Sequence, residues 1–303
     1  MPQKRIGFVD YNLDNFHSRV YLEAIRGPLA ARGYEVAGAT AIEAEPSKVW
    51  AASTNLVYLA SVEELVSEVD YFVILAPSNP ETHLKLCQQV FPFGKPTFVD
   101  KTFAPDLETA EKIFHIADQF GVPVQTTSAL RNTNIQRRVQ RLTSPLVSMF
   151  ITAGGSSFAE YGIHPVELAI SCLGADVLSL MRLGDLQHPQ FLLQFSSNRT
   201  AIIDFNSHAD IPFRALLSTK DESELVEVDA ASLFVDAASA ILDFFDANAA
   251  QIDRKETLII RRILDLAMTP DAASKFVDLV IPGGERQTIP APHWKQSELH
   301  KVN

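Results

Sequence analysis

Cysteine is nearly absent: Cys87 and Cys172 are the only two in 303 residues. That excludes a disulfide framework, and their separation is no metal-ligand spacing, so a reducing cytoplasm is the expected compartment. A basic excess is also missing. Lys and Arg number 26 against 37 Asp and Glu, a net charge of −11, the reverse of what phosphate neutralisation asks of a nucleic-acid binder. No apolar run approaches the roughly 18 residues of a membrane-spanning helix. The opening stretch Ile6-Gly7-Phe8-Val9 stops at Asp10, too short for a signal-peptide core. His188, His208, His293 and His300 have no companions at ligand spacing, so no metal site is expected.

What is present suffices for two packed domains, since 47% of the residues are hydrophobic and a domain takes roughly 100 to 200 residues. Short apolar runs at 5–9, 35–39, 71–75, 97–99 and 122–125 alternate with amphipathic stretches at 16–32, 61–69, 80–91 and 107–120. This alternation predicts an α/β domain over 1–126, a doubly wound parallel (Rossmann) sheet that binds ligands beyond the carboxyl ends of its strands. Beyond it, strands at 146–152, 177–183, 190–196, 200–207, 213–218 and 225–228 join helices at 157–173, 230–247 and 256–267. They predict an α+β domain over 127–303 with an open, mainly antiparallel sheet. Such a sheet exposes one face, which a second copy would cover. A homodimer or homotetramer is expected.

The first strand-to-helix turn reads Gly7-Phe8-Val9-Asp10-Tyr11-Asn12-Leu13-Asp14-Asn15. A dinucleotide fold places G-x-G-x-x-G here so that backbone N–H groups approach a pyrophosphate. Asp10, Asn12 and Asn15 stand at the three glycine places. Asparagine tolerates positive φ better than most residues, so the turn geometry can survive. A carboxylate about 5 Å from a phosphate charge costs on the order of 3 kcal/mol at an effective dielectric near 20. The end of the second strand, Gly38-Ala39-Thr40-Ala41, has no acid for a ribose hydroxyl, and Glu43 comes late. An α/β domain without a dinucleotide is therefore one of two open readings.

Three later segments carry a resemblance. The first is Tyr71-Phe72-Val73-Ile74-Leu75-Ala76-Pro77 followed by the helix headed by His83; the second is Gly94-Lys95 leading to Asp100-Lys101-Thr102. The third is Tyr161-Gly162-Ile163-His164-Pro165-Val166-Glu167, ending at Leu173-Gly174. In this order they resemble the glucose-fructose oxidoreductase and inositol dehydrogenase (Gfo/Idh/MocA) family of NAD(P)-dependent oxidoreductases. Asp100-Lys101-Thr102 is similar to that family's Glu-Lys-Pro, and His164 and Glu167 to its Gly-x-His-x-x-Asp helix. The resemblance implies hydride transfer between nicotinamide and a secondary alcohol or ketone of a sugar, polyol or similar metabolite. It implies NAD or NADP held by Tyr11, Asn12, Leu13, Thr40, Ala76, Pro77, His83, Asp100 and Lys101.

The residues support a site of their own accord. His164, Glu167 and Ser171 share one helix face. Pro165 suits the first helical position, which makes His164 a candidate N-cap, neutral near pH 7 beside the helix dipole. Ser157 and Glu160 offer an alternative capping-box start. His164 is read as the base, Lys101 as the stabiliser of an alkoxide, and Glu167 as the residue that positions substrate or histidine. Arg131, Ser157, Tyr161 and His164 are the expected substrate contacts. The rival function is a cofactor-less relative serving as a ligand-binding or regulatory subunit.

Overall fold

The computed structural model describes residues 3–279 except Asp210; His293 and His300 lie outside the described residues. Strands β1 (Lys4–Asp10), β2 (Tyr34–Ala41), β3 (Tyr71–Ile74), β4 (Thr97–Asp100) and β5 (Val124–Thr127) form a parallel sheet in the order β2-β1-β3-β4-β5. Helices α1 (Phe16–Arg26), α2 (Ala44–Ser53), α3 (Val62–Leu65), α4 (His83–Val90) and α5 (Leu107–Phe120) cover it. The chain reverses direction across the sheet between β1 and β3, which sets the ligand crevice at Asp10 and Ala76. The helix expected over 16–32 is shorter, because Gly27-Pro28 stops α1 at Arg26 and a single 3-10 turn, Ala30–Arg32, follows. Helix α2 was not expected: it buries only Ser47, Trp50 and Ala51, so its apolar periodicity is too sparse to read.

Helices α6 (Asn134–Val139), α7 (Phe158–Tyr161) and α8 (Ile163–Leu173) belong to the second unit. Its sheet contains β6 (Leu146–Gly154), β7 (Val177–Leu183), β8 (Gln190–Phe195), β9 (Thr200–Asn206), β10 (Arg214–Thr219), β11 (Ser223–Glu227) and β12 (Val277–Asp278), in the order β11-β10-β6-β9-β8-β7-β12. β6 and β9 run parallel and every other pair is antiparallel. One face packs on α8 and on α10 (Arg254–Ala267). On the other face Leu225, Leu216, Phe150, Ile202 and Leu192 stand opposite one another in register across five neighbouring strands.

One helix departs from the expected division. α9 (Leu233–Ala247), within residues 127–303, buries Ile241, Leu242 and Phe244 against Ile6, Phe8 and Val73 of the first sheet. Phe245 stacks on Tyr71 with ring centroids 4.6 Å apart, and Asp246 accepts a hydrogen bond from Tyr34 at 2.8 Å. The apolar face of α9 thus matches the open side of the β1–β3 layer rather than its own sheet. Among the described residues no helix is long and apolar enough to cross a membrane.

Candidate functional site

The crevice at the sheet's switch point is filled by the turn's own groups. Asp10 is fully buried. Its Oδ1 accepts the backbone N–H of Tyr11 at 2.7 Å, of Ala76 at 2.9 Å and of Asn12 at 3.3 Å. Its Oδ2 accepts the Asn15 amide at 2.8 Å and the Ser18 hydroxyl at 3.0 Å. Burial raises its carboxyl to about 6, against the pull of these bonds. The neighbouring donors are also engaged: Leu13 N–H bonds Ser47 Oγ at 3.0 Å and Asp14 N–H bonds Asn12 Oδ1 at 2.9 Å. Glu43 accepts from the Tyr11 hydroxyl and from the Asn12 amide, both at 3.0 Å, so the acid after β2 serves the turn.

The expectation that asparagines keep a glycine-like turn is corrected. Neither Asn12 nor Asn15 has positive φ; Asn15, at φ −136, caps α1 through Ser18 N–H. A pyrophosphate needs free N–H groups and no competing anion, and this turn offers a buried carboxylate with its N–H groups already taken. Tyr11, Asn12 and Leu13 as folded do not fit the group. Asp14 is turned to solvent, 3.8 Å from Arg19. Thr40 is buried at the end of β2. His83 is corrected from a cofactor contact to a strut, because its fully buried ring lies 2.7 Å from Leu75 O and 3.1 Å from Phe103 O.

Ionisable groups from both units gather at the cleft. Lys101 follows β4, and among the described residues the sole hydrogen-bond partner of its ammonium is Pro77 O at 3.1 Å, leaving two of three protons unclaimed. The Nζ lies 5.8 Å from the ring centroid of Tyr161, whose ring is 5.9 Å from that of His164. His164 is 9% exposed and its Nδ1 is buried without a partner. Burial first, then the charges of Lys101 and His17, lower its imidazole to about 3, so it is neutral at physiological pH. His17 and Asp100 are the pair that sequence reasoning missed as a unit: His17 Nδ1 lies 2.5 Å from Asp100 Oδ2. A carboxylate there fixes the proton on Nδ1 and leaves Nε2 as the free nitrogen. The one available signal was a histidine in the first turn of α1 beside the switch point.

Other expected contacts have partners of their own. Glu167 does not hold His164: its carboxylate accepts Ser128 N–H at 2.5 Å, and it lines a small cavity together with Lys101, Thr127 and Ser128. Arg131 is corrected from a substrate contact, since its guanidinium pairs with Glu256 at 2.5 Å. Ser157 accepts Glu160 N–H and caps α7. The helical segment therefore starts at Ser157, without the reciprocal half of a capping box, because the Glu160 carboxylate takes the Ser156 and Ser78 hydroxyls; His164 lies inside α8 rather than at its N-cap. Pro165 has no N–H for Tyr161 O, so the two short helices meet at Gly162. Glu160 also accepts a hydrogen bond from Ser78 at 3.3 Å, which joins the two units at the cleft's edge. Among the described residues no group of three or more His, Cys, Asp or Glu could hold a metal ion.

Residues 15–128 match the model of GFO_IDH_MocA, an oxidoreductase family with an NAD-binding Rossmann fold. The match begins at Asn15, just past the altered turn. No curated protein matches the chain. Solved structures share its fold. A myo-inositol dehydrogenase from Corynebacterium glutamicum is 15% identical with a TM-score of 0.75, covering 92% of this chain and 99% of its own. GenD2 from gentamicin A biosynthesis, in complex with NAD, is 12% identical with a TM-score of 0.76, covering 93% and 97%. An oxidoreductase from Agrobacterium radiobacter in complex with NAD+, L-tartaric acid and magnesium is 12% identical with a TM-score of 0.73, covering 91% and 98%. Residues 15–128 are thus similar to an oxidoreductase family with an NAD-binding Rossmann fold, and the chain as a whole shares the fold of these solved structures.

Proposed function

We propose that the cleft binds a small polar metabolite, a sugar, polyol or close relative, at a carbonyl or secondary alcohol carbon and transfers protons there. The observation that carries this reading is the meeting of Lys101 and His164 around Tyr161, each with polar capacity unspent. A buried nitrogen without a partner is costly, roughly 1 to 3 kcal/mol, and a ligand hydroxyl removes that cost. His164, neutral, takes a proton from the substrate; Lys101 holds the oxygen on which negative charge develops. On a hydroxycarbonyl compound the proton leaves the carbon beside the carbonyl and the electron pair moves to the oxygen as an enolate. The His164 imidazolium then returns its proton to the enolate, while His17, oriented by Asp100, accepts a hydrogen bond from the neighbouring hydroxyl at its free Nε2. Nothing is oxidised or reduced in that sequence.

A second reading is favoured by the family match over residues 15–128: hydride transfer between NAD or NADP and a secondary alcohol or ketone of the same class of metabolite. Proton NMR separates the two. The protein is mixed in D2O with a panel of polyols, aldoses and ketoses, with and without NAD+ or NADP+. Deuterium entering a C–H bond without dinucleotide, and absent in H164A and K101A, is expected. Turnover that needs NAD+ or NADP+ selects the second reading, and inertness throughout rejects both.

We also propose that two copies pair through the outer face of the second sheet, in the cytoplasm. Leu225, Leu216, Phe150 and Ile202 are each more than one-third exposed. Ser148, Ser218, Ser223 and Thr200 form the neighbouring cross-strand row, so an uncharged strip accompanies the apolar one. A face without charge at its centre can meet its own copy without like-charge repulsion.

A further inference from the structure

We infer that Asp10 is the resident anion of this domain's phosphate seat, and that the chain does not hold a dinucleotide there although the family that residues 15–128 match is NAD-binding. Five donors converge on one carboxylate: three backbone N–H groups, one amide and one hydroxyl. They come from β1's end, from the segment after β3 and from the first turn of α1, the three places that border the switch point. An anion at this junction normally arrives with the ligand; here it is covalently part of the chain and cannot leave.

Closure extends outward from that point. The β1–β2 ladder continues past both strands through Ile42 N–H to Asp10 O at 3.1 Å and Glu43 N–H to Tyr11 O at 2.8 Å. Tyr11 and Asn12 are then tied down on Glu43. A dinucleotide entering would have to strip Leu13 N–H from Ser47 and Asp14 N–H from Asn12 while lying against Asp10. All five of Asp10's partners are neutral, so nothing cancels its charge. Repulsion at about 5 Å alone weakens a phosphate contact roughly a hundredfold at an effective dielectric near 20. The conclusion stands whether or not the cleft acts on a sugar, because it concerns only the first turn.

The test is direct binding to the full-length wild-type chain: NADH and NADPH followed by fluorescence, NAD+ and NADP+ by calorimetry. No saturable binding up to roughly 1 mM is expected, and saturation of any of the four below that level overturns the inference. Asp10→Gly, checked for folding by circular dichroism, is expected to gain at least tenfold in affinity for NADH or inorganic phosphate. If that variant does not fold, Asp10→Asn, which keeps the size and removes the charge, takes its place. A folded variant that binds neither ligand better than wild type removes Asp10 as the block.

Discussion

The Asp100 carboxylate lies 2.5 Å from Nδ1 of His17 and ties the end of β4 to the first turn of α1. Its other oxygen accepts the backbone N–H of Lys101 at 2.8 Å, so one buried carboxylate orients an imidazole and a lysine backbone together. Asp100→Asn keeps the shape but no longer fixes the proton on His17 Nδ1. The rate of deuterium exchange in a substrate found by NMR should drop roughly a hundredfold with little change in KM. His17→Gln should drop equally, and the double variant no further. Independent, multiplying losses would show that the two residues do not act as a unit.

His164 makes the fold sensitive to acid in a defined direction. Its folded value of about 3 lies below the ordinary 6.5, so in that window the unfolded chain binds a proton that the folded chain refuses. Stability therefore falls as pH drops, by about 2 kcal/mol at pH 5 relative to neutral pH. Asp10, raised to about 6 from 3.8, acts with the opposite sign between those values. Urea unfolding of wild type and His164→Gln at pH 7 and pH 5 isolates the histidine: the variant should lose about 2 kcal/mol less on acidification. Equal losses would mean that His164 titrates normally.

Pairing through the second sheet is tested at Ile202, which stands beside Phe150 and Leu192 in register. The wild-type chain of 33.5 kDa should elute in light scattering with at least twice that mass. Ile202→Glu places a charge in the apolar row and should give monomer with unchanged circular dichroism. A monomeric wild type would dismiss the interface.

Helix α9 joins the two units energetically, because its residues come late in the chain yet pack under β1 and β3. Leu242 is fully buried there. Leu242→Ala should cost about 3 kcal/mol, and thermal unfolding should remain one transition at a lower midpoint. Two separated transitions would show that the units unfold independently.

Much of this architecture is legible from the residues. The apolar runs of the first sheet, the helical stretch at 107–120 and the closely spaced strands after residue 146 follow directly from periodicity and turn chemistry. Helix α2 escaped notice for lack of apolar residues, and the docking of α9 is a tertiary choice that no local pattern encodes. At the site, Lys101 and His164 could be placed because each stands at an element's end or on a polar stripe. The partners of Glu167 and Arg131 could not, because they are distant in the chain: Ser128 and Glu256. Asp10 could be singled out by its type. Its inward turn depended on Ala76, Asn15 and Ser18 closing around it.

Whether an ammonium from one unit and an imidazole from the other share one ligand oxygen is best measured by a co-crystal structure with a polyol or ketose found by NMR. One ligand oxygen within about 3.2 Å of Lys101 Nζ, with His164 hydrogen-bonded to the same carbon–oxygen group or its neighbour, is the expected result. A ligand bound elsewhere, or in the cleft and touching neither residue, would contradict it.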